Sequence, residues 1–378
     1  MKVNVTFVLS LVLGLNYALA GPVESSKEII IEDPKLFCDR YDDLLGLATL
    51  YEGGHPILKE LRLIGRYQGQ YYNVESESDS SDWENRRFRF GFAAKFSEYL
   101  KFQTEFNLKR DFNQSGRLFE DVDDAYFTWE PSDKYTVKFG KLKPEFTREY
   151  STSSKRIKTI ERSLIVNEIV PSKAGGIVGT AHNWHGFDIS FGGFSGQLTE
   201  DWGLPEHGSW GQYGRISRDF GENTNVRIDW FHRHGDREQN AYRPYHENFS
   251  LSSQSDWGRF HLMTDFIYAD DAFNDLASDL NGAIIMPYFD LTDRLEAVLR
   301  YQFVMADEMD GIPVQKRYER EGSPVARGDE YHAIYGGLNW YICGDKLKIM
   351  NGVEWSTIDG FDRDHNFWTF MTAVRMYF

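Results

Sequence analysis

From Lys59 to Phe378 the chain repeats one theme: stretches of roughly ten residues alternate apolar with polar side chains, then break at a turn. Successive side chains of a strand point to opposite faces, so each stretch reads as a strand with one wet and one apolar side. In Arg294–Phe303 the odd positions, Leu295 to Phe303, are apolar, while Glu296, Arg300 and Gln302 occupy even ones. Phe88, Phe90, Phe92 and Ala94 alternate likewise with Arg87, Arg89, Gly91, Ala93 and Lys95, as do Leu100, Phe102, Thr104, Phe106 and Leu108 with Lys101, Gln103, Glu105, Asn107 and Lys109.

The pattern predicts about sixteen strands, over 59–75, 83–97, 99–110, 120–130, 134–143, 173–183, 186–195, 208–219, 224–234, 242–254, 257–270, 280–290, 294–305, 328–341, 346–358 and 366–378. Short connections (Ser97-Glu98, Pro131-Ser132-Asp133, Trp184-His185, Gly221-Glu222-Asn223, Ser255-Asp256, Thr292-Asp293, Gly344-Asp345) alternate with long ones. Short turns at one rim and long loops at the other characterise a closed antiparallel barrel in a membrane, with its short turns in the periplasm. The expected fold class is therefore all-β, a transmembrane antiparallel β-barrel.

Three parts are expected: a signal peptide over 1–20, an N-terminal periplasmic segment over 21–58 and the barrel over 59–378. Lys2, the apolar run Val5 to Leu15 and Ala18-Leu19-Ala20 have the three parts of a secretory signal, with cleavage after Ala20. Tyr41 to Tyr51 is expected to form a short amphipathic helix. No later run is long enough for a membrane helix. The chain is 41% hydrophobic and 16% aromatic, yet mean hydropathy is only −0.52, because apolar residues are interleaved rather than massed.

Net charge is −16, which gives a nucleic-acid partner no support. The stretch from Lys141 to Lys173 runs against that total. Lys141, Lys143, Arg148, Lys155, Arg156, Lys158, Arg162 and Lys173 face only Glu145, Glu149, Glu161 and Glu168 there. Pro144 cannot donate to a ladder and should close the fifth strand, releasing about thirty residues, far more than a hairpin needs. Ile157, Ile160, Leu164, Ile165 and Val166 give this loop an apolar side to lay against the inner wall, and Lys141, Lys143, Arg148, Lys155, Arg156, Lys158 and Arg162 are then expected along the water path. The solvated external loop is the competing reading. On the wall, Arg66, Arg87, Arg89, Lys101 and Lys138 fall on the inward phase.

Lys138-Phe139-Gly140-Lys141-Leu142-Lys143-Pro144, the following Arg148-Glu149-Tyr150-Ser151-Thr152-Ser153-Ser154-Lys155-Arg156, and Arg86-Arg87-Phe88-Arg89-Phe90-Gly91-Phe92 together resemble the phosphate-selective porin O and P family of outer-membrane channels. The likeness covers most of the chain after about residue 59. It implies a large barrel, a homotrimer in outer-membrane lipid, a loop folded into the pore, and basic residues along a path for small anionic solutes. It places Arg87, Arg89, Lys101 and Lys138 on that path near the loop.

No nucleophile elbow, phosphate loop or metalloprotease motif occurs, so no catalytic residue and no cofactor are expected. His232-Arg233-His234 sets two imidazoles on one strand face, but no cluster of matching spacing joins them, and they read as rim aromatics rather than metal ligands. Cys38 and Cys343 both fall at the periplasmic end of this topology, and export permits their oxidation to a disulfide. A general non-selective porin, an exported soluble glycan-binding protein and a barrel lipase remain as alternatives.

Overall fold

The computed structural model describes residues 34–109, 118–195, 210–234, 245–270, 278–315, 317–323, 326–360 and 363–378. The expected signal peptide lies outside them. The chain divides into two units, Met1–Tyr41 and Asp42–Phe378, and every strand among the described residues belongs to the second.

Helix α1, Pro34–Gly46, starts and stops seven and five residues earlier than the expected helix over 41–51. Proline suits the first helical turn, where its missing amide would have no partner, and Gly46 closes the helix. Thr49, Leu50 and Tyr51, expected as helix, lie instead in the extended segment Thr49–Glu52, which pairs with Glu60, Leu61 and Arg62. Both cysteines, Cys38 and Cys343, are disulfide-bonded rather than free.

Sixteen barrel strands follow: β1 Glu60–Glu75, β2 Ser80–Lys95, β3 Leu100–Leu108, β4 Phe119–Ser132, β5 Tyr135–Leu142, β6 Ala174–Trp184, β7 Phe187–Ser195, β8 Trp210–Phe220, β9 Thr224–His234, β10 Glu247–Trp257, β11 Phe260–Asp270, β12 Leu280–Asp290, β13 Leu295–Ala306, β14 Glu330–Tyr341, β15 Leu347–Asp359 and β16 Asp364–Tyr377. Each pairs antiparallel with the next. The last pairs with the first, from Trp368↔Glu75 to Tyr377↔Arg66, and the barrel is closed. Closure satisfies every ladder edge internally, which a wall in hydrocarbon requires.

All sixteen expected strands are present, with shifts of up to a few residues: β2, expected over 83–97, is Ser80–Lys95, and β11, expected from 257, starts at Phe260. β10 runs to Trp257 rather than ending before Ser255-Asp256, because Gly258, with φ +64°, supplies the left-handed residue of the turn. Alternation decides the two faces as expected in β13, where Leu299 and Tyr301 are exposed and Glu296, Val298, Arg300, Gln302 and Val304 are buried. Phe139, Ile177, Phe191, Ile228, Phe266, Leu299 and Ile334 stand exposed and form an apolar band on the outside of the barrel.

The lumen is largely filled. Residues of two long loops, 143–173 and 307–329, join inward wall residues in a core that includes Phe146, Ile160, Leu164, Ile165, Ile312, Val314, Tyr318, Ile284, Val304 and Ala333.

Candidate functional site: a cationic constriction inside the barrel

Strand β5 ends at Leu142, two residues before Pro144, and the chain turns into the lumen. Within the strand, Gly140 packs closely on its neighbour: its φ is +130°, and a Cβ there would come within 2.4 Å of the Ala125 carbonyl oxygen. Thr147 then caps the one-turn helix α2, Arg148–Ser151, its hydroxyl accepting from the Tyr150 amide at 3.1 Å.

Behind the loop, polar and apolar anchors hold it to β12–β15. The buried Glu149 carboxylate accepts from the Ser163 amide and, at 2.6 Å, from its hydroxyl. It also pairs at 3.0 Å with Arg300, which reaches Glu354 at 2.7 Å on its other side. Helix α3, Leu164–Ile169, follows, with the Leu164 amide donating to Gln302 at 2.7 Å. Ile157, Ile160, Leu164, Ile165 and Val166 are all at most 4% exposed. Ile165 lies against Gly282, where a Cβ would sit 2.4 Å from its Cδ1. The apolar side foreseen for this loop is thus the side that packs on the wall.

Between the loop's other side and β1–β5 lies a cavity of about 790 Å³. Its lining holds eleven cations, Arg66, Arg86, Arg87, Arg89, Lys138, Lys141, Lys143, Lys155, Arg156, Arg162 and Lys173, and four carboxylates, Asp121, Asp123, Asp124 and Glu145. Ser151, Ser153 and Ser154 add hydroxyls able to donate to an anion.

Some of these cations are matched. Arg66 grips both oxygens of Glu105 at 2.7 and 2.9 Å and donates to Ser154 at 2.6 Å, tying wall to loop. Arg89 pairs with Asp123, Arg86 with Glu161, and Lys173 with Asp123 and Asp124. Lys138 reaches Glu145 at 3.2 Å, and Arg215 reaches the same carboxylate at 3.1 Å. Burial alone would raise the Glu145 carboxyl, but Lys138 and Arg215 outweigh it and hold the group down at about 2.

Others have neutral groups among their partners. Arg87 donates to Gln68 at 2.7 Å, Lys143 to the Tyr150 carbonyl at 2.8 Å, Lys141 to the Val122 carbonyl at 2.6 Å, and Arg162 to the Thr152 carbonyl at 2.8 Å. Lys155 lies 4.6 Å over the Tyr377 ring. Arg156 is exposed and in no ion pair among the described residues. Burial, with Arg162 nearby, pulls the Lys143 ammonium well below the usual lysine range, so an arriving anion would favour its charged form.

Three residues expected on the path stand elsewhere. Lys101 pairs with Glu130 at 2.6 Å, outside the cavity lining. Arg148 points to Asn225 at 2.7 Å and Ser252 at 3.3 Å. Lys158 turns to the opposite wall, where it pairs with Glu296 at 2.5 Å and lies over the Tyr288 ring. Conversely, Arg86 lines the cavity although strict alternation assigns it outward. The register passes from Gln68↔Arg87 to Gly69↔Asn85 and skips Arg86, so this extra residue forms a bulge that brings two consecutive arginines to the lumen.

The fold has solved relatives. The anion-selective porin from Comamonas acidovorans is similar, with TM-score 0.59 and 13% identity over 84% of this chain and 99% of that one. Pseudomonas putida OprB matches with TM-score 0.60 and 11% identity, over 84% and 94%. The loop L8 deletion mutant of OmpT of Vibrio cholerae matches with TM-score 0.56 and 13% identity, over 84% and 99%. No curated protein matches the chain in sequence. Residues 61–209, which take in all but the first residue of β1, β2–β5, the inward loop and all eleven cations of the lining, match the family described as phosphate-selective porin O and P.

Proposed function

We propose that the protein is an outer-membrane porin that passes small solutes passively and prefers anions, phosphate or similar, at the constriction between the inward loop and β1–β5. The observation that carries this reading is the cavity lining, eleven cations against four carboxylates in a chain whose net charge is −16. Charge selectivity follows the local ring of charge rather than the total. Within a narrow, partly desolvated passage each unmatched cation acts more strongly than it would in bulk water. The family match covers the portion of the chain that supplies all of these residues. The trimer form of OmpT of Vibrio cholerae shares the fold, and we take a homotrimer in outer-membrane lipid as the working assembly.

The test is the reversal potential of single channels in a planar bilayer under a salt gradient. The unaltered protein should show anion preference. Replacing Lys155 and Arg156 together by Gln should move the reversal potential toward cation passage severalfold in permeability ratio, while unboiled gel mobility stays that of a folded barrel. A general non-selective porin, the competing reading, predicts a reversal potential near zero that the double substitution does not move.

A further inference from the structure

The sequence sets His232 and His234 on one strand face and supplies no third ligand. Strand pairing supplies it from elsewhere. The ladder places His232 of β9 directly opposite Glu247 of β10, at the rim that carries the long loops. His232 Nδ1 and Glu247 Oε1 are 2.7 Å apart, and the His246 ring stands 4.5 Å from that of His232, at 76° to it. One donor atom each from His232, His246 and Glu247 lies within 4.8 Å of the others.

Two features hold the three in place. The His246 amide donates to the Asp270 carbonyl at 2.6 Å, and its own carbonyl accepts from the Arg233 amide at 2.8 Å, so the residue is fixed between β9 and β11. Trp230 Nε1 donates to Glu247 Oε2 at 2.7 Å, which orients the carboxylate and leaves Oε1 toward the imidazoles. A carboxylate ligand steadied by a neighbouring donor is a recurring feature of metal sites. The His234 ring lies instead beside that of Trp210, 5.3 Å away and tilted by 33°.

We propose that His232, His246 and Glu247 form a Zn²⁺ site on the outer face of the long-loop rim, with water in the fourth position. Two imidazoles and one carboxylate suit this borderline ion, and bonds of about 2.0–2.2 Å in a tetrahedron need donors about 3.3 Å apart. Small rotations of half-exposed side chains bring donors within 4.8 Å to that spacing. The ion replaces the His232–Glu247 hydrogen bond with one bond to each. The site is independent of the cavity and of the transport reading.

Full-length protein folded in detergent, stripped with a chelator and titrated with ZnCl₂ by calorimetry tests it. The expected result is one Zn²⁺ per chain, weakened at least tenfold by His232→Ala, His246→Ala or Glu247→Gln and unchanged by His234→Ala. Absence of saturable binding, or binding that His246→Ala and Glu247→Gln leave intact, overturns it. Should a variant lose the unboiled mobility of a folded barrel, diethyl pyrocarbonate labelling of the unaltered chain decides: Zn²⁺ must protect His232 and His246, and absence of protection sinks the site.

Discussion

Lys155, Arg156 and Lys158 are near neighbours in the chain, yet the loop sends them to two places. Lys155 and Arg156 line the cavity, whereas Lys158 crosses behind the loop to Glu296, whose carboxylate also accepts from Tyr341 at 2.8 Å and Asn339 at 2.9 Å. Lys158→Gln should therefore leave the reversal potential unchanged, in contrast to the paired Lys155 and Arg156 substitution. It should lower stability by about 2 kcal/mol, the usual effect of withdrawing a hydrogen bond from a buried charged group. Bilayer recordings and the temperature at which the unboiled band is lost would check both halves, and a shifted reversal potential would place Lys158 back on the path. Composition could announce a cationic loop, and the isoleucines announced which side packs. The side taken by each cation was not legible, because an irregular loop has no period from which to read direction. Arg86 shows the same limit inside a strand: the bulge that turns it inward leaves no mark in the alternation.

At the scale of elements, strands were legible nearly residue by residue because the outer face is apolar and the inner face largely polar, which leaves a period of two in the sequence. The second inward loop was not. Its sequence around Glu319-Arg320-Glu321 reads as solvated, yet Ile312, Val314, Tyr318 and Ala326 are at most 3% exposed, and helix α4, Glu319–Gly322, sits among them. Glu319 fastens this loop to the wall, its carboxylate accepting from Tyr331 at 2.8 Å, from Ser356 and from the Gln315 amide at 2.6 Å. Burial, with Glu354 adding repulsion, pushes this carboxyl up to about 7. A folded value above the unfolded one means the docked loop holds its proton longer than the free loop does. The stabilisation is fully present below the ordinary carboxyl range, about 4.3, and is lost as pH rises through about 7. Cleavage within 307–329 by added protease should then be several-fold slower at pH 5.5 than at pH 8, after correction against an unfolded substrate. Glu319→Gln should flatten that difference; a variant with undiminished pH dependence would assign it to another group.

Over the whole molecule, the wall depends on a single closing seam. Most neighbouring strands are joined by turns or short loops, but β16 and β1 meet only after the entire barrel has been laid down. Their last contact is made by the terminal residue. The Gly65 amide donates to the Phe378 carbonyl and the Phe378 amide to the Gly65 carbonyl, both at 3.1 Å. The Phe378 ring covers Gly65, where an added Cβ would lie 2.4 Å from its Cε1 and Cζ. Gly65→Val should therefore push the ring off the seam without touching a charged group of the lumen. Overpacking of this kind costs about 1–3 kcal/mol. The unboiled band should accordingly disappear at a lower temperature in Gly65→Val, while the reversal potential of channels that do assemble stays unchanged, since the cavity lining is intact. Adding Phe378→Ala to Gly65→Val removes the clash and should recover part of the lost stability, although Phe378→Ala alone removes packing and should lower it. The opposite signs of one substitution in two backgrounds identify the contact. Equal losses in both backgrounds would mean that ring and glycine act separately, and that closure rests on the ladder alone.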